Sequence, residues 1–349
     1  MLLFVLAATI PPVACNFLGF LTVKIGLLPS LSIKDFNTLI FKICIPALLV
    51  VSLSSVEITA DFQKFFLAQL VFRGLAFIYA LVISFYLRFK KSNIPFGVNL
   101  FSFFSSTSWL NAVVLGISLV ESLYGSDYVI YALLCATVDY LCQVILAALL
   151  LSDASSFKKI MTNFATNPAI VCVFVGFFCS MLKISLHPII QNTLLYMSTV
   201  VRGTAHLVAG MVFYVILTEQ RNIAPSSKSE PLLLMEEGNA DIIEYEKLLE
   251  SRLEVITDPF NKSYVLMLIF SKVIVAPVLM TIVGIALKLD GYCWELATFL
   301  ACLPPSLAQF VVARNYNKCI AATNFVVVVT TCLLTPMILL YDLIFKWSI

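Results

Sequence analysis

Few residues of this chain place charge or a strong hydrogen-bonding group inside apolar surroundings, and those few define the chemistry open to it. Arg73 follows Gln69 by one helical turn within the run 65–87, Asp139 lies in the run 128–151, and Asn111 stands beside the Trp109-Leu110 pair in the middle of 98–120. At membrane depth an ionised side chain is expensive, so it either marks a substrate or ion path or is held by a partner. Arg73 can meet an anionic group, or it can pair with Asp139 and so remain compensated in the unloaded state. Asn111 carries an amide that can bond freed backbone and a ligand at once. Pro304 and Pro305 complete the set. Near the middle of the run 295–312, each deletes a backbone hydrogen bond and clashes with the preceding turn. Hydrocarbon does not tolerate the freed carbonyls, so an interrupted span points to a cavity and to a transporter's binding site. Asn111, Arg73, Gln69, Asp139, Pro304 and Pro305 are therefore the candidate substrate-binding residues.

Other chemistry is poorly provided for. His206, four residues after Arg202 on one face of its helix, has no Cys, Asp or second His at catalytic or metal spacing, so no enzymatic activity and no metal are expected. Snorkelling or a structural contact accounts for both residues. The ten cysteines form no C-x-x-C pair and sit mostly in apolar runs, as small core residues rather than bridges or ligands. No cofactor is implied. The net charge of +2 comes from dispersed basic residues, which excludes a nucleic-acid surface.

The elements that must position these groups are membrane helices. With 61% hydrophobic and 12% charged residues and a mean hydropathy of +1.00, a soluble domain of 349 residues would have nowhere to put its apolar surface. Ten apolar runs lie near 2–23, 36–54, 65–87, 98–120, 128–151, 168–183, 189–217, 264–287, 295–312 and 319–345. Lys24, Lys34, Arg88, Lys90, Lys91, Lys158, Lys159, Arg314 and Lys318 fall in every second short loop, whereas the other side holds only Lys64, Lys183, Lys288 and Lys346. The positive-inside rule puts the denser set in the cytoplasm and both termini outside. The polar segment from Thr218 to Lys262 then lies in the cytoplasm as a solvated linker, in which Asp241 to Val255 could form a short amphipathic helix. Pro11-Pro12 interrupts the first run, and no basic stretch precedes it, so residues 2–23 read as a span and not as a cleaved signal.

An internal repeat organises the runs. Residues 8–20 align with 165–177 at a constant offset of 157, with seven of thirteen positions identical and Pro11, Cys15 and Gly19 in register with Pro168, Cys172 and Gly176. Five spans separate the copies, so they cross in opposite senses, as an inverted repeat of five plus five. The chain divides accordingly into 1–151, the first repeat; 152–217, spans six and seven; 218–262, the loop; and 263–349, spans eight to ten. If span nine is broken, its mate, span four, should be irregular too. Span four has Ser102, Ser105, Ser106, Thr107, Ser108 and Asn111, followed by Gly116 and Ser118. In the same scheme Lys272 of span eight is a repeat mate for Arg73, although near the loop it could also snorkel.

Leu303-Pro304, Phe310-Val311, Ala313-Arg314 and Tyr316-Asn317, followed by Ala321-Ala322-Thr323, resemble the closing spans of the auxin efflux carrier family, which includes the PIN-FORMED and PIN-like membrane transporters. Asn37 with Pro46-Ala47-Leu48-Leu49, Asn111 with Gly116 and Leu123-Tyr124-Gly125, Asn167-Pro168 with Gly176, and Lys272 with Pro277 resemble its second, fourth, sixth and eighth spans. The resemblance implies an all-α polytopic protein of ten transmembrane helices, two inverted five-helix repeats in a sodium/bile-acid-symporter-like and NhaA-like architecture. It further implies a scaffold domain, a transport domain moving as an elevator, and a site where broken helices four and nine cross. Leu110 and Ser118 replace the proline that many relatives carry near the fourth-span Asn. Gln69 and Arg73 stand where the plant carriers have Asp and Lys, so the cation stays and the carboxylate goes. Leu49 falls at the second-span serine, and the long loop follows span seven instead of span five.

The reading is a secondary transporter of a small organic anion, an indole or aryl carboxylate, by alternating access. A half-helix N-terminus and Arg73 would meet the carboxylate, with Asn111 and the backbone near Pro304 and Pro305 orienting it. Export of an anion from a negative-inside compartment is downhill by about 2.3 kcal/mol per 100 mV, so no coupling ion is required. The alternative is a sodium- or proton-coupled carrier of the same architecture, for which only Asp139 and Glu121 supply carboxylates. The partners are the substrate and the bilayer, with homodimer assembly left open and the plasma membrane and endoplasmic reticulum not distinguished.

Overall fold

The computed structural model describes residues 2–29, 32–54, 56, 58–151, 162, 165–223, 262–306, 309, 312–313 and 318–345. Among these the regular structure is helical throughout, with no strand. The first five helical units are α1 (Leu2–Lys24); α2 (Ser32–Leu39) continued through a π turn (Ile40–Cys44) into α3 (Ile45–Ser54); α4 (Ala60–Phe89); α5 (Phe96–Ser108), followed by a π turn (Ala112–Gly116) and α6 (Ile117–Tyr124); and α7 (Val129–Leu151). Then come α8 (Pro168–Met181), α9 (Pro188–Ile223), α10 (Lys262–Phe270) continued through a π turn (Ser271–Val275) into α11 (Ala276–Ala286), α12 (Gly291–Cys302), α13 (Ile320–Cys332) and α14 (Leu334–Phe345).

The first eight apolar runs read from the sequence each overlie one of these helical units, whereas α12 covers the ninth only as far as Cys302 and the tenth is divided between α13 and α14. Asp35–Ser54, Ala60–Phe89, Ser126–Leu151 and Lys262–Ala286 are each long and apolar enough to cross a bilayer, and Phe325–Cys332 with Leu334–Leu343 do so as one pair bent by 55°. This is an integral, polytopic helical membrane protein. Pro11 and Pro12 do not divide the first run: both are accommodated inside the continuous α1. The 218–262 linker, including Asp241 to Val255, lies outside the described residues from 224 to 261; α9 itself extends to Ile223, past the expected end of that span.

Prolines explain two of the π turns. Pro46 and Pro277 each lack an N–H and press on the carbonyl four residues back, and the helix widens at Ile40–Cys44 and Ser271–Val275, the turns that contain those carbonyls. The carbonyl that Pro277 frees, that of Val273, accepts a hydrogen bond from the Tyr341 hydroxyl at 2.6 Å. At this depth no water replaces the lost bond, so a side chain does.

Three apolar cores divide the molecule. One joins α2, α3, α8 and α9 through residues such as Ile45, Leu53, Val173 and Met211. The other two share α4 and α7: one adds α6, α11, α12 and α14, the other α5, α10 and α13. The helices thus group as one body of α1–α3, α8 and α9, with α1 packed on α9, and a second body of the rest.

Close approach within the first body depends on glycine. A Cβ on Gly19 of α1 would fall on the Leu207 carbonyl of α9, and one on Gly210 of α9 on the Asn16 carbonyl of α1. On α8, a Cβ on Gly176 would come within 2.7 Å of Leu53 Cβ.

Candidate functional site

Span four breaks after Ser108. Trp109 and Asn111 leave the helical region, at φ −79°, ψ 126° and φ −76°, ψ 51°, before the chain re-enters helix at Ala112. Thr107 and Ser108 return their hydroxyls to the carbonyls of Phe103 and Phe104, which loosens the turn in front of the break. The irregularity expected in this span is present without a proline. On the other side, α12 stops at Cys302, Leu303 is extended at ψ 145°, and the chain is helical again at Gln309.

The two breaks meet. The Asn111 N–H donates to the Pro304 carbonyl at 2.9 Å, the Leu110 N–H to Asp139 Oδ2 at 2.8 Å, and the Trp109 N–H to the Ser105 carbonyl at 3.1 Å. Every backbone donor of the 109–111 break is satisfied, as a segment buried away from water requires. A side-chain bridge adds to this: Gln309 Nε2 donates to Ser105 Oγ at 2.7 Å and to Ser106 Oγ at 3.2 Å.

Asp139 is held from behind. Arg73 donates through Nε and Nη2 to Asp139 Oδ1 at 3.0 and 2.6 Å, through Nη2 to the Cys135 carbonyl, and through Nη1 to the carbonyl and Oε1 of Gln69. Both charged side chains are 3% exposed. These bonds use all five guanidinium N–H groups, so Arg73 has none left for a ligand in this conformation. Of its two expected roles, the pairing with Asp139 is the one it fills here. Gln69 is part of the same relay and keeps Nε2 without a partner.

A cavity of about 60 Å³ lies between the two bodies, enough for several waters. One wall comes from α2, α3 and α9 and is apolar, with Ile40, Phe41, Ile45 and Val208 among its residues; Asn37 is its polar member. The facing wall holds Asn111, Asp139, Tyr140, Gln143 and Ser306. Asn111 is 6% exposed and its side-chain amide caps no helix, so that amide remains for the cavity. The π turn that opens at Ala112 also begins here. Val113, in the first turn of that half-helix, is among the lining residues, so the helix starts at the cavity wall.

Of the six sequence candidates, Asn111 and Asp139 line the cavity, Arg73 and Gln69 stand behind Asp139, and Pro304 and Pro305 are buried at the second break. Gln143 and Tyr140 were not singled out. Gln143 lies one helical turn past Asp139 on the same face of α7, and that spacing was the available signal. Tyr140 donates to Asn167 Oδ1 at 3.3 Å, and the same oxygen caps α8 through the Ala169 N–H, so the residue ties the second body to the first. Lys272 does not snorkel; it is fully buried. His206 is 4% exposed and engaged within the protein, while the Arg202 side chain and Arg314, Tyr316 and Asn317 lie outside the described residues.

Residues 4–166 match the family described as membrane transport protein, that of the auxin efflux carriers and PIN-like transporters. The resemblance read from the sequence holds over that part of the chain. No curated protein matches it.

Proposed function

We propose that this membrane transport protein of the auxin efflux carrier and PIN-like family is a secondary transporter of a small organic anion with an indole or aryl body, working by alternating access. The observation that carries the reading is the cavity itself: it opens where two interrupted helices meet, and its walls belong to two separately cored bodies. Movement of the α4–α7 and α10–α14 body along the other would carry the breaks and a bound ligand with it. The apolar wall suits a ring, and the half-helix N-terminus at Ala112 with the Asn111 amide suits a carboxylate.

Packing favours the ten-span inverted repeat. Exchanging each span with its mate turns the α1·α9 contact into α8·α3, α4·α5 into α11·α12, and α4·α7 into α10·α13, and each of these pairs packs. Gly19 and Gly176, equivalent in the repeat, serve equivalent interfaces, the first against α9 and the second against α3. Both termini then lie on the non-cytoplasmic side, with the 218–262 linker in the cytoplasm.

The test is counterflow. Purified protein in liposomes preloaded with one unlabelled carboxylate should accumulate the same labelled carboxylate without an ion gradient, and an imposed potential should bias net flux. Accumulation that appears only with an imposed sodium or proton gradient would favour the ion-coupled alternative. No exchange of any aryl or indole carboxylate would refute the reading.

A further inference from the structure

A carboxylate in this cavity needs hydrogen-bond donors, and most of the polar lining groups are already engaged. α7 turns Ala136, Asp139, Tyr140 and Gln143 to the cavity, at the spacing of one helix face. Asp139 only accepts, from Arg73 and from the Leu110 N–H. Tyr140 gives its one proton to Asn167 Oδ1, and Ser306 is engaged within the protein. What remains is three carboxamides, those of Asn37, Asn111 and Gln143, none of which makes a side-chain hydrogen bond among the described residues.

Gln143 is the least explained of the three. It is 5% exposed on a membrane helix, yet nothing in the described structure uses its amide. Burying a carboxamide without a partner is costly, and leucine would fill nearly the same shape without that cost. Packing therefore gives no reason for glutamine here, whereas a ligand with a polar group does. Water entering a cavity of this size can serve the amide until a ligand replaces it.

We propose that Gln143 is a substrate-binding residue, donating its carboxamide N–H to the substrate's carboxylate alongside Asn111. The assignment rests on the anion-transport reading above and adds to it the means of recognition. The carboxylate is read by neutral donors, because the five N–H groups of Arg73 are all in use. Gln143 and Asn111 both belong to the body that holds the breaks, so both travel with the ligand. Asn37 belongs to α2 on the other body, so its amide meets the ligand in one arrangement of the bodies and not in another.

The experiment compares the purified full chain with its Gln143→Leu variant. Melting temperature without ligand is measured first, then affinity for indole-3-acetate and for its uncharged amide, indole-3-acetamide. The variant should melt at or above the parent, since it loses an amide that has no partner. It should bind the acetate at least tenfold more weakly and lose less for the acetamide, because hydrogen bonds to a charged group are the stronger ones. Acetate affinity equal to the parent's overturns the proposal and leaves the transport reading intact. Equal losses for both probes overturn it too, by making Gln143 a wall and not a reader of charge. A variant that melts well below the parent also overturns it, since Gln143 then serves the fold. A parent that neither binds nor exchanges any carboxylate overturns the transport reading, and this assignment with it.

Discussion

The backbone N–H of Asn111 donates to the carbonyl of Pro304 at 2.9 Å, so the two interrupted spans are joined directly at their breaks. Neighbouring bonds make this more than a local contact. Leu110 is tied to Asp139, Asp139 to Arg73 and Arg73 to Gln69, a relay that runs from the break in span four back to span three. The break is held by the residues behind it, and Asn111 in front lines the cavity.

Asn111→Ala removes that side chain without touching the backbone bond to Pro304. Substrate affinity should fall by the cost of one lost hydrogen bond, about 1 to 3 kcal/mol or about five- to a hundredfold, with thermal stability near the parent's. Equilibrium binding of a labelled aryl carboxylate measures it. Parent-like affinity would remove Asn111 from the site.

Arg73→Gln leaves Asp139 buried without its cation, a loss of about 3 to 5 kcal/mol for breaking a buried pair from one side. Expression and melting temperature in detergent should drop sharply. Arg73→Gln with Asp139→Asn removes both members of the pair together, and the amide oxygen introduced by the second change can still accept the Leu110 N–H, so folding should recover. If the single mutant is as stable as the parent, the relay does not hold the break.

The continuous apolar runs of the chain carried the helices because each had to be buried or face lipid along its length, and Pro304-Pro305 announced one break because freed carbonyls are not tolerated there. Span four was legible by a different route, through its hydroxyls and the demand of the repeat, since no proline marks it. What the sequence did not disclose was direction. Arg73 reads equally as a ligand for an anion or a partner for Asp139, and only the positions of five donors decide which it does in this state. Gln309 was equally hidden, because its partners Ser105 and Ser106 lie about two hundred residues away.

Asn261-Lys262-Ser263 is the only N-x-Ser/Thr sequon of the chain, and the orientation proposed from the charge pattern would place it in the cytoplasm. Expressed in a glycosylating cell, the protein should show no endoglycosidase-sensitive shift. A shift that disappears in Asn261→Gln would invert the orientation of every span.

The glycines of the first body offer the sharpest test of packing. Gly210→Ala places a methyl group onto the Asn16 carbonyl, and Gly19→Ala one onto that of Leu207; in both cases the obstacle is backbone, which cannot rotate away. Overpacking of this kind costs about 1 to 3 kcal/mol, occasionally more, and should separate α1 from α9. Gly203, on the same helix as Gly210, has open space around its Cα, so Gly203→Ala should be neutral or raise stability by up to about 1 kcal/mol through helix propensity. Melting temperatures of the three variants in one detergent decide the matter. Equal melting of Gly210→Ala and Gly203→Ala would mean that α1 does not lie against α9 at Gly210, and the pairing equivalent to α3 with α8 would lose its counterpart.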